Sequence, residues 1–249
     1  MEEKTLNVDV YCVCWNEMQI LPFVIDYWKR FARHVYVYDN GSDDGTLEFL
    51  SKFDWITVEH YETGGELNDL AYLEIKNNKW KGSDADWVCV CDVDECLYSD
   101  HFFEELKKLT DEGYTMLKPN WIEVMSDTNV PEYQEGKMLH ELVDGGIVSG
   151  GPKTVMFRPS KITKVDYSPG CHECKPVGDV KVCNGLNLVH CKNLGVEYAM
   201  DRFKVYCERM SATNKKYGFG FHYFRKKEEY VKEHIEIMKT VKPIKELIV

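Results

Sequence analysis

Along the first part of the chain, short unbroken apolar runs alternate with segments whose apolar residues recur every three to four positions. Val8–Trp15 is a run rich in strand formers, and Ile20–Phe31 places Leu21, Val24, Ile25, Trp28 and Phe31 on one helical face. His34–Tyr38 and Ile56–His60 read as strands, Leu47–Phe53 and Asn68–Trp80 as helices. Trp87–Cys91 is a fourth strand that runs into Asp92-Val93-Asp94-Glu95, and His101–Thr110 is helical. This alternation predicts an α/β fold, an open sheet of mostly parallel strands flanked by helices. After Tyr114 the pattern loosens. Met116–Val124 and Thr154–Arg158 read as strands among glycine- and proline-containing loops. From Val196 to about Val241 two helices are expected, broken around Gly218–Gly220. The organisation predicted is one α/β domain over residues 1–195 with a helical extension, 196–249, packed on it. No internal repeat or low-complexity linker interrupts it.

Open sheets bind ligands at the carboxyl ends of their strands. Asn16–Glu17, Asp39–Thr46 and Asp92–Glu95 all fall at such ends. Alternation along a strand puts the Asp92 and Asp94 carboxylates on one side, where both can reach one hard cation. Magnesium or manganese takes oxygen ligands and can bridge to a diphosphate. The plainer alternative is a solvated acidic turn. In Asp39–Thr46 the glycines permit tight turns, Ser42 and the aspartates can bond backbone amides, and Thr46 can cap the next helix. Asp39 stands at the strand end itself, placed to accept hydrogen bonds from a base or ribose.

The 249 residues carry a formal net charge of −11, which repels phosphate backbones and argues against nucleic-acid binding. An anionic small ligand then requires local cations, and Lys76, Lys153 and, less directly, Lys79 are candidates. Met1–Asp9 has no apolar core, so no secretory leader is expected. No apolar stretch approaches the roughly 20 residues of a membrane span. Ten cysteines, many inside strand-like runs, fit a reducing compartment. The expected location is cytoplasmic, with peripheral attachment at the inner membrane face compatible with it. Cys171-His172-Glu173-Cys174, with Cys183, His190 and Cys191, invites a zinc reading, but the spacing is not that of a standard zinc site. His172 and Glu173 are also candidates for the base that takes an acceptor hydroxyl's proton, in competition with Asp144 and Asp179. Trp121 reads as core and Tyr133 as an aromatic available to an acceptor sugar.

The segment Asp39-Asn-x-Ser-x-Asp-Gly-Thr46 resembles the second-strand motif of glycosyltransferase family 2. Trp15-Asn16-Glu17 is similar to that family's Tyr-Asn-Glu, and Asp92-x-Asp94 to its metal motif; the proline usual before Tyr-Asn-Glu is replaced by Val13. The later half resembles a bacterial branch more loosely, through Lys153, Arg158-Pro159, Gly170–His172 and His190–Lys192. The resemblance implies a GT-A fold and inverting transfer from a nucleoside-diphosphate sugar, with uridine as the base, to a glycan or lipid-linked acceptor. It implies nucleotide-sugar contacts from Asn16, Glu17, Asp39, Lys76, Asp92 and Lys153. It further implies manganese or magnesium on Asp92, Asp94 and His190. A nucleotidyltransferase is the alternative enzyme, but the place of its glycine-rich basic loop is taken by Trp15–Ile20, which has neither glycine nor lysine. A non-catalytic sugar- or nucleotide-binding protein of the same fold is the third reading.

Overall fold

The computed structural model describes residues 6–127, 129–149 and 153–248. The first elements are β1 (Val8–Cys14), α1 (Leu21–Trp28), β2 (His34–Asp39), α2 (Thr46–Leu50), β3 (Ile56–His60), α3 (Asp69–Asn78) and β4 (Trp87–Asp92). Then come β5 (Glu95–Tyr98), α4 (Phe102–Asp111), β6 (Met116–Ser126), β7 (Gly145–Val148), β8 (Met156–Phe157), β9 (Ile162–Lys164), β10 (Val177–Gly178) and β11 (Val182–Leu194). Helices α5 (Val196–Arg209), α6 (Ala212–Tyr217) and α7 (Lys227–Met238) complete the chain.

A large open mixed sheet runs β3-β2-β1-β4-β8-β6-β11-β5, with β7 paired to β6. β3, β2, β1 and β4 are mutually parallel, as are β6 and β11. Both faces of the parallel part are covered, which is why its strands read as continuous apolar runs. The pleat divides them. Val8, Val10, Cys12 and Cys14 of β1, with Trp87, Cys89 and Cys91 of β4, pack toward the α1 side. Tyr11, Val13, Val88 and Val90 pack with Ile75 and Trp80 on the α3 side. Cys14 lies opposite Asp39 and Val13 opposite Asp92. The carboxyl ends of β1, β2 and β4 therefore emerge together on one edge.

Several expected boundaries shift for identifiable reasons. α1 stops at Trp28 instead of reaching Phe31. The Arg33 backbone bonds the Val8 carbonyl, and its guanidinium grips the buried Asp9 with contacts of 2.8 and 2.6 Å, drawing the chain into β2. α3 begins after Asn68, whose side chain accepts from the Leu70 and Ala71 amides. Among the described residues the C-terminal segment has three α-helices in place of two. Ser211 interrupts it and caps α6 by accepting from the Asn214 amide. The main correction is β11, 13 residues where loop was expected. It pairs with β6 on one side and β5 on the other. No helix among the described residues is long and apolar enough to cross a membrane.

Candidate functional site

The loops after β1 and β2 are laced together. Asn16 adopts a left-handed φ of 51°, a conformation asparagine tolerates better than most residues. Its amide NH donates to Ser42 Oγ (2.8 Å), and its side chain exchanges two hydrogen bonds with Asp43. The Glu17 amide donates to Thr46 Oγ1 (3.1 Å). Asp39 is fully committed inside this turn. It accepts from the Gly41 and Ser42 amides (2.7 and 2.9 Å) and from the Ser42 hydroxyl (2.5 Å), and it is 1% exposed. Asp39 and Asn16 thus shape the loops and do not line the cleft beside them, whereas Trp15 and Glu17 do.

That cleft, of about 410 Å³, has Asp92–Glu95 on its floor. Asp92 continues the Val88–Val90 row of β4, so it comes up beneath α3 and meets Lys76 in that helix's last turn. Lys153 reaches the same carboxylate from the other side at 3.2 Å and also pairs with Glu95. Burial opposes ionisation of Asp92, but the two ammonium groups outweigh it and hold the carboxyl far below the usual range. Burial likewise disfavours both lysines, and Asp92 and Glu95 raise them above the ordinary lysine value. Glu95 also accepts the Asp92 amide at 3.0 Å.

Strand alternation is not what brings Asp94 to the cleft. β4 ends at Asp92, Val93 plugs into the core, and the tight turn into β5 presents Asp94. The Cys191 amide bonds the Asp94 carbonyl at 2.8 Å, tying the turn to β11. His190 of β11 lies in register with Glu95 of β5 and with Glu123 of β6. Its Nδ1 contacts both Glu123 carboxylate oxygens at 2.9 Å, and its Nε2 faces Asp94 Oδ2 at 3.7 Å, beyond hydrogen-bond length. Burial pushes the His190 pKa down, but Glu123 and Asp94 overcome it and lift it to about 10. Asp94 falls to about 2, burial opposing and His190 prevailing.

The donor set fits a divalent ion in part. An imidazole whose far nitrogen is fixed by a carboxylate is the usual arrangement of a metal-binding histidine. It faces a carboxylate oxygen across an open gap. Asp92 is less suited, because both its oxygens carry lysines. Among the described residues no three His, Cys, Asp or Glu side chains form a complete cage. Magnesium is commonly held by one or two carboxylates plus substrate phosphates, so a small set of protein ligands does not by itself argue against an ion that also takes phosphate. The ion would have to displace the proton on His190.

Other expectations divide. His172 lines the cleft with its ring 6.1 Å from Trp121, while Glu173 is exposed and off the lining. Asp144 is used in a turn, accepting from the Asp127 amide (2.8 Å), and Asp179 pairs with Lys161 on the surface. Lys79 bonds Glu59 away from the cleft. Trp121 is buried and also walls the site, its indole NH donating to Glu123 (2.7 Å). Tyr133 packs against α1 and donates to Asp26 (2.7 Å), outside the cleft.

Among the other residues in and beside the cleft, Arg202 and Arg209 carried no signal of their own in the sequence, whereas Glu17 and Lys192 fell within motifs of the resemblance. Arg209 stacks on Trp15, 3.5 Å from the ring centroid, and bonds Asn40 and the Gly65 carbonyl. Lys192 is set against the rings of Tyr223 (4.9 Å) and Phe203 (5.8 Å), with no carboxylate paired to it among the described residues. Burial lowers its pKa, against the pull of Asp94 and Glu123. Arg202 pairs with Glu17 at 2.5 Å, while the other Glu17 oxygen is buried without a hydrogen-bond partner among the described residues. Burial lifts the Glu17 carboxyl to about 7 despite Arg202. Glu123 had one legible trace, an acid inside an apolar strand.

No family model matches the chain, and no curated protein matches it. Among solved structures it is similar to the 1–349 fragment of S. aureus TarS, with a TM-score of 0.47 and 12% identity over 80% of this chain and 63% of that one. A longer S. aureus TarS structure gives 0.42 and 12% over 82% of this chain and 39% of that one. The chain thus spans less than two thirds of the length of each of these two structures.

Proposed function

We propose that the protein is a GT-A-type glycosyltransferase. It would transfer a sugar, with inversion, from a nucleoside-diphosphate donor carrying uridine to a hydroxyl of a glycan or lipid-linked acceptor. One observation carries this reading. The joint carboxyl edge of β1, β2 and β4 opens on a cleft in which Asp94 faces a Glu123-oriented His190 beside Lys76, Lys153 and Lys192. Residues 1–195 would form the nucleotide-sugar and catalytic unit and 196–249 a helical extension closing one wall.

Asp94 and His190 would hold manganese or magnesium, which when bound supplies counter-charge to the leaving diphosphate. A mixed nitrogen–oxygen pair suits manganese better than magnesium, which prefers oxygen throughout. Lys192, with no carboxylate partner among the described residues and facing the same space, is placed to receive the anionic phosphates. Lys76 and Lys153 neutralise Asp92, so the floor does not repel a diphosphate. The Trp15–Arg209 stack offers a flat platform for the base. Asp39 and Asn16 act at one remove, by building the loops that hold Trp15 and Glu17. His172 on the cleft wall is the base we assign to the acceptor hydroxyl, ahead of Glu173.

Nucleoside diphosphate released from a panel of donor sugars, across a manganese titration with and without chelator, tests the reading. Wild-type turnover should require the ion, and Asp94→Asn should fold but not respond to it. Release from no donor would leave a binding protein, which thermal shift with the same donors would reveal. Full turnover in chelator would remove the metal from the account. Pyrophosphate release from nucleoside triphosphate would favour the nucleotidyltransferase.

A further inference from the structure

The segment that gives the cleft Arg209, His222, Tyr223 and Arg225 also presents a different kind of surface. Between Glu208 and Glu228 the chain carries Arg209, Lys215, Lys216, Arg225, Lys226 and Lys227 and no acidic residue, in a protein of net charge −11. Lys227 pairs with Glu197 and Arg225 with Glu233. Lys215, Lys216 and Lys226 are exposed, with no acidic partner among the described residues. The same stretch holds aromatic rings in water: Tyr217 is 58% exposed, Phe221 75% and Phe224 51%. These rings are mutually supported. Tyr217 stacks with Phe219 at 5.6 Å, Phe221 lies 6.2 Å from Phe224, and Lys216 is 5.2 Å above Tyr217. Gly218 and Gly220, with φ of 72° and 68°, make the bends that carry the segment outward. A single exposed phenylalanine means little, but a cluster of them ringed by unpaired lysines marks a docking surface.

We propose that the surface formed by residues 215–226 docks the protein on an anionic lipid bilayer, rings at headgroup depth and lysines against acidic headgroups. Charge selects this partner. The protein as a whole is acidic and is repelled by such a membrane, whereas this stretch, with basic and no acidic residues between Glu208 and Glu228, is attracted to it. Aromatic rings beside lysines are what the bilayer interface accommodates. His222, Tyr223 and Arg225 of the same segment line the cleft, so docking opens the cleft at the membrane surface. The docking stands independently of the donor assignment; that a lipid-linked acceptor is presented there rests on the proposed function.

The test is cosedimentation of the full chain with vesicles of phosphatidylcholine alone or mixed with phosphatidylglycerol. Binding is expected only to the mixed vesicles, and it should fade as salt is raised. Lys215→Gln with Lys216→Gln should weaken it about thirtyfold, a factor of about five for each lysine. Phe221→Ser with Phe224→Ser should also weaken it while leaving donor turnover in solution unchanged. No binding to anionic vesicles at low salt, or equal binding by both double variants, would overturn the proposal. So would RNA or an acidic protein captured by this face with the same salt dependence while vesicles stay unbound.

Discussion

Replacing Lys153 by methionine asks whether charge holds the floor of the cleft together. Lys153 is 7% exposed, and its ammonium serves Asp92 and Glu95. The Glu95 side chain is 1% exposed. Methionine preserves much of the apolar stem but removes the cation, which lies 5.4 Å from the Trp121 ring centroid. Asp92 keeps Lys76, whereas among the described residues Glu95 keeps only the Asp92 amide as a bonded partner. Stranding one member of a buried ion pair costs about 3–5 kcal/mol. The lower end, about 3 kcal/mol, is expected here, because Lys76 still acts on Glu95 from its place on Asp92. For a domain of this size that lowers the melting temperature by roughly 6–12 °C. Adding Glu95→Gln removes the stranded charge, so the double variant should regain much of the loss, a coupling that a double-mutant cycle reads directly. Urea unfolding at pH 7, followed by tryptophan fluorescence and circular dichroism, supplies the free energies. A loss below about 1 kcal/mol for Lys153→Met, or a double variant no more stable than the sum of the singles, would refute the reasoning.

Asp39→Asn should cost about 1.5–3 kcal/mol in urea unfolding, since an amide cannot accept all three turn hydrogen bonds; unchanged stability with weakened nucleotide binding would instead place the carboxylate on the ligand. Trp15→Ala or Arg209→Ala should weaken nucleoside-diphosphate affinity measured by calorimetry, by about 0.5–2 kcal/mol for the lost stacking contact; equal affinities would remove the platform from the site. His140 accepts from or donates to Tyr27 at 2.7 Å, and burial depresses its pKa to about 4 against Glu141 and Asp100. Because the folded value lies below the unfolded one, this contribution is fully present above about pH 6.5 and is lost as pH falls toward 4. Wild type should therefore lose on the order of 2 kcal/mol more than His140→Gln between pH 7 and 4.5, and parallel pH profiles would contradict the assignment.

The elements that could be read from the sequence were those whose environment is uniform. β1 and β4 lie between two covered faces, so nearly every side chain is apolar and the run declares itself. β11 is different. Asn184, Gly185, Asn187, His190 and Lys192 break its pattern, and Leu186 takes a left-handed φ of 55° at a register shift. Its strand character comes from β6, more than 60 residues earlier, and not from its own composition.

The sequence by itself determined that acidic and turn-forming clusters follow strands of a parallel sheet, and hence that Asp92 and Asp94 lie at its carboxyl edge. Tertiary structure alone decided what those carboxylates meet. Asp92 is locked between Lys76 and Lys153, Asp94 is set against His190 with Glu123 behind it, and Asp39 is spent on its own turn. The physical reason is range. Strand and turn preferences act over a few neighbouring residues, whereas a buried charge takes whatever partner the packing of distant segments brings within 3–4 Å.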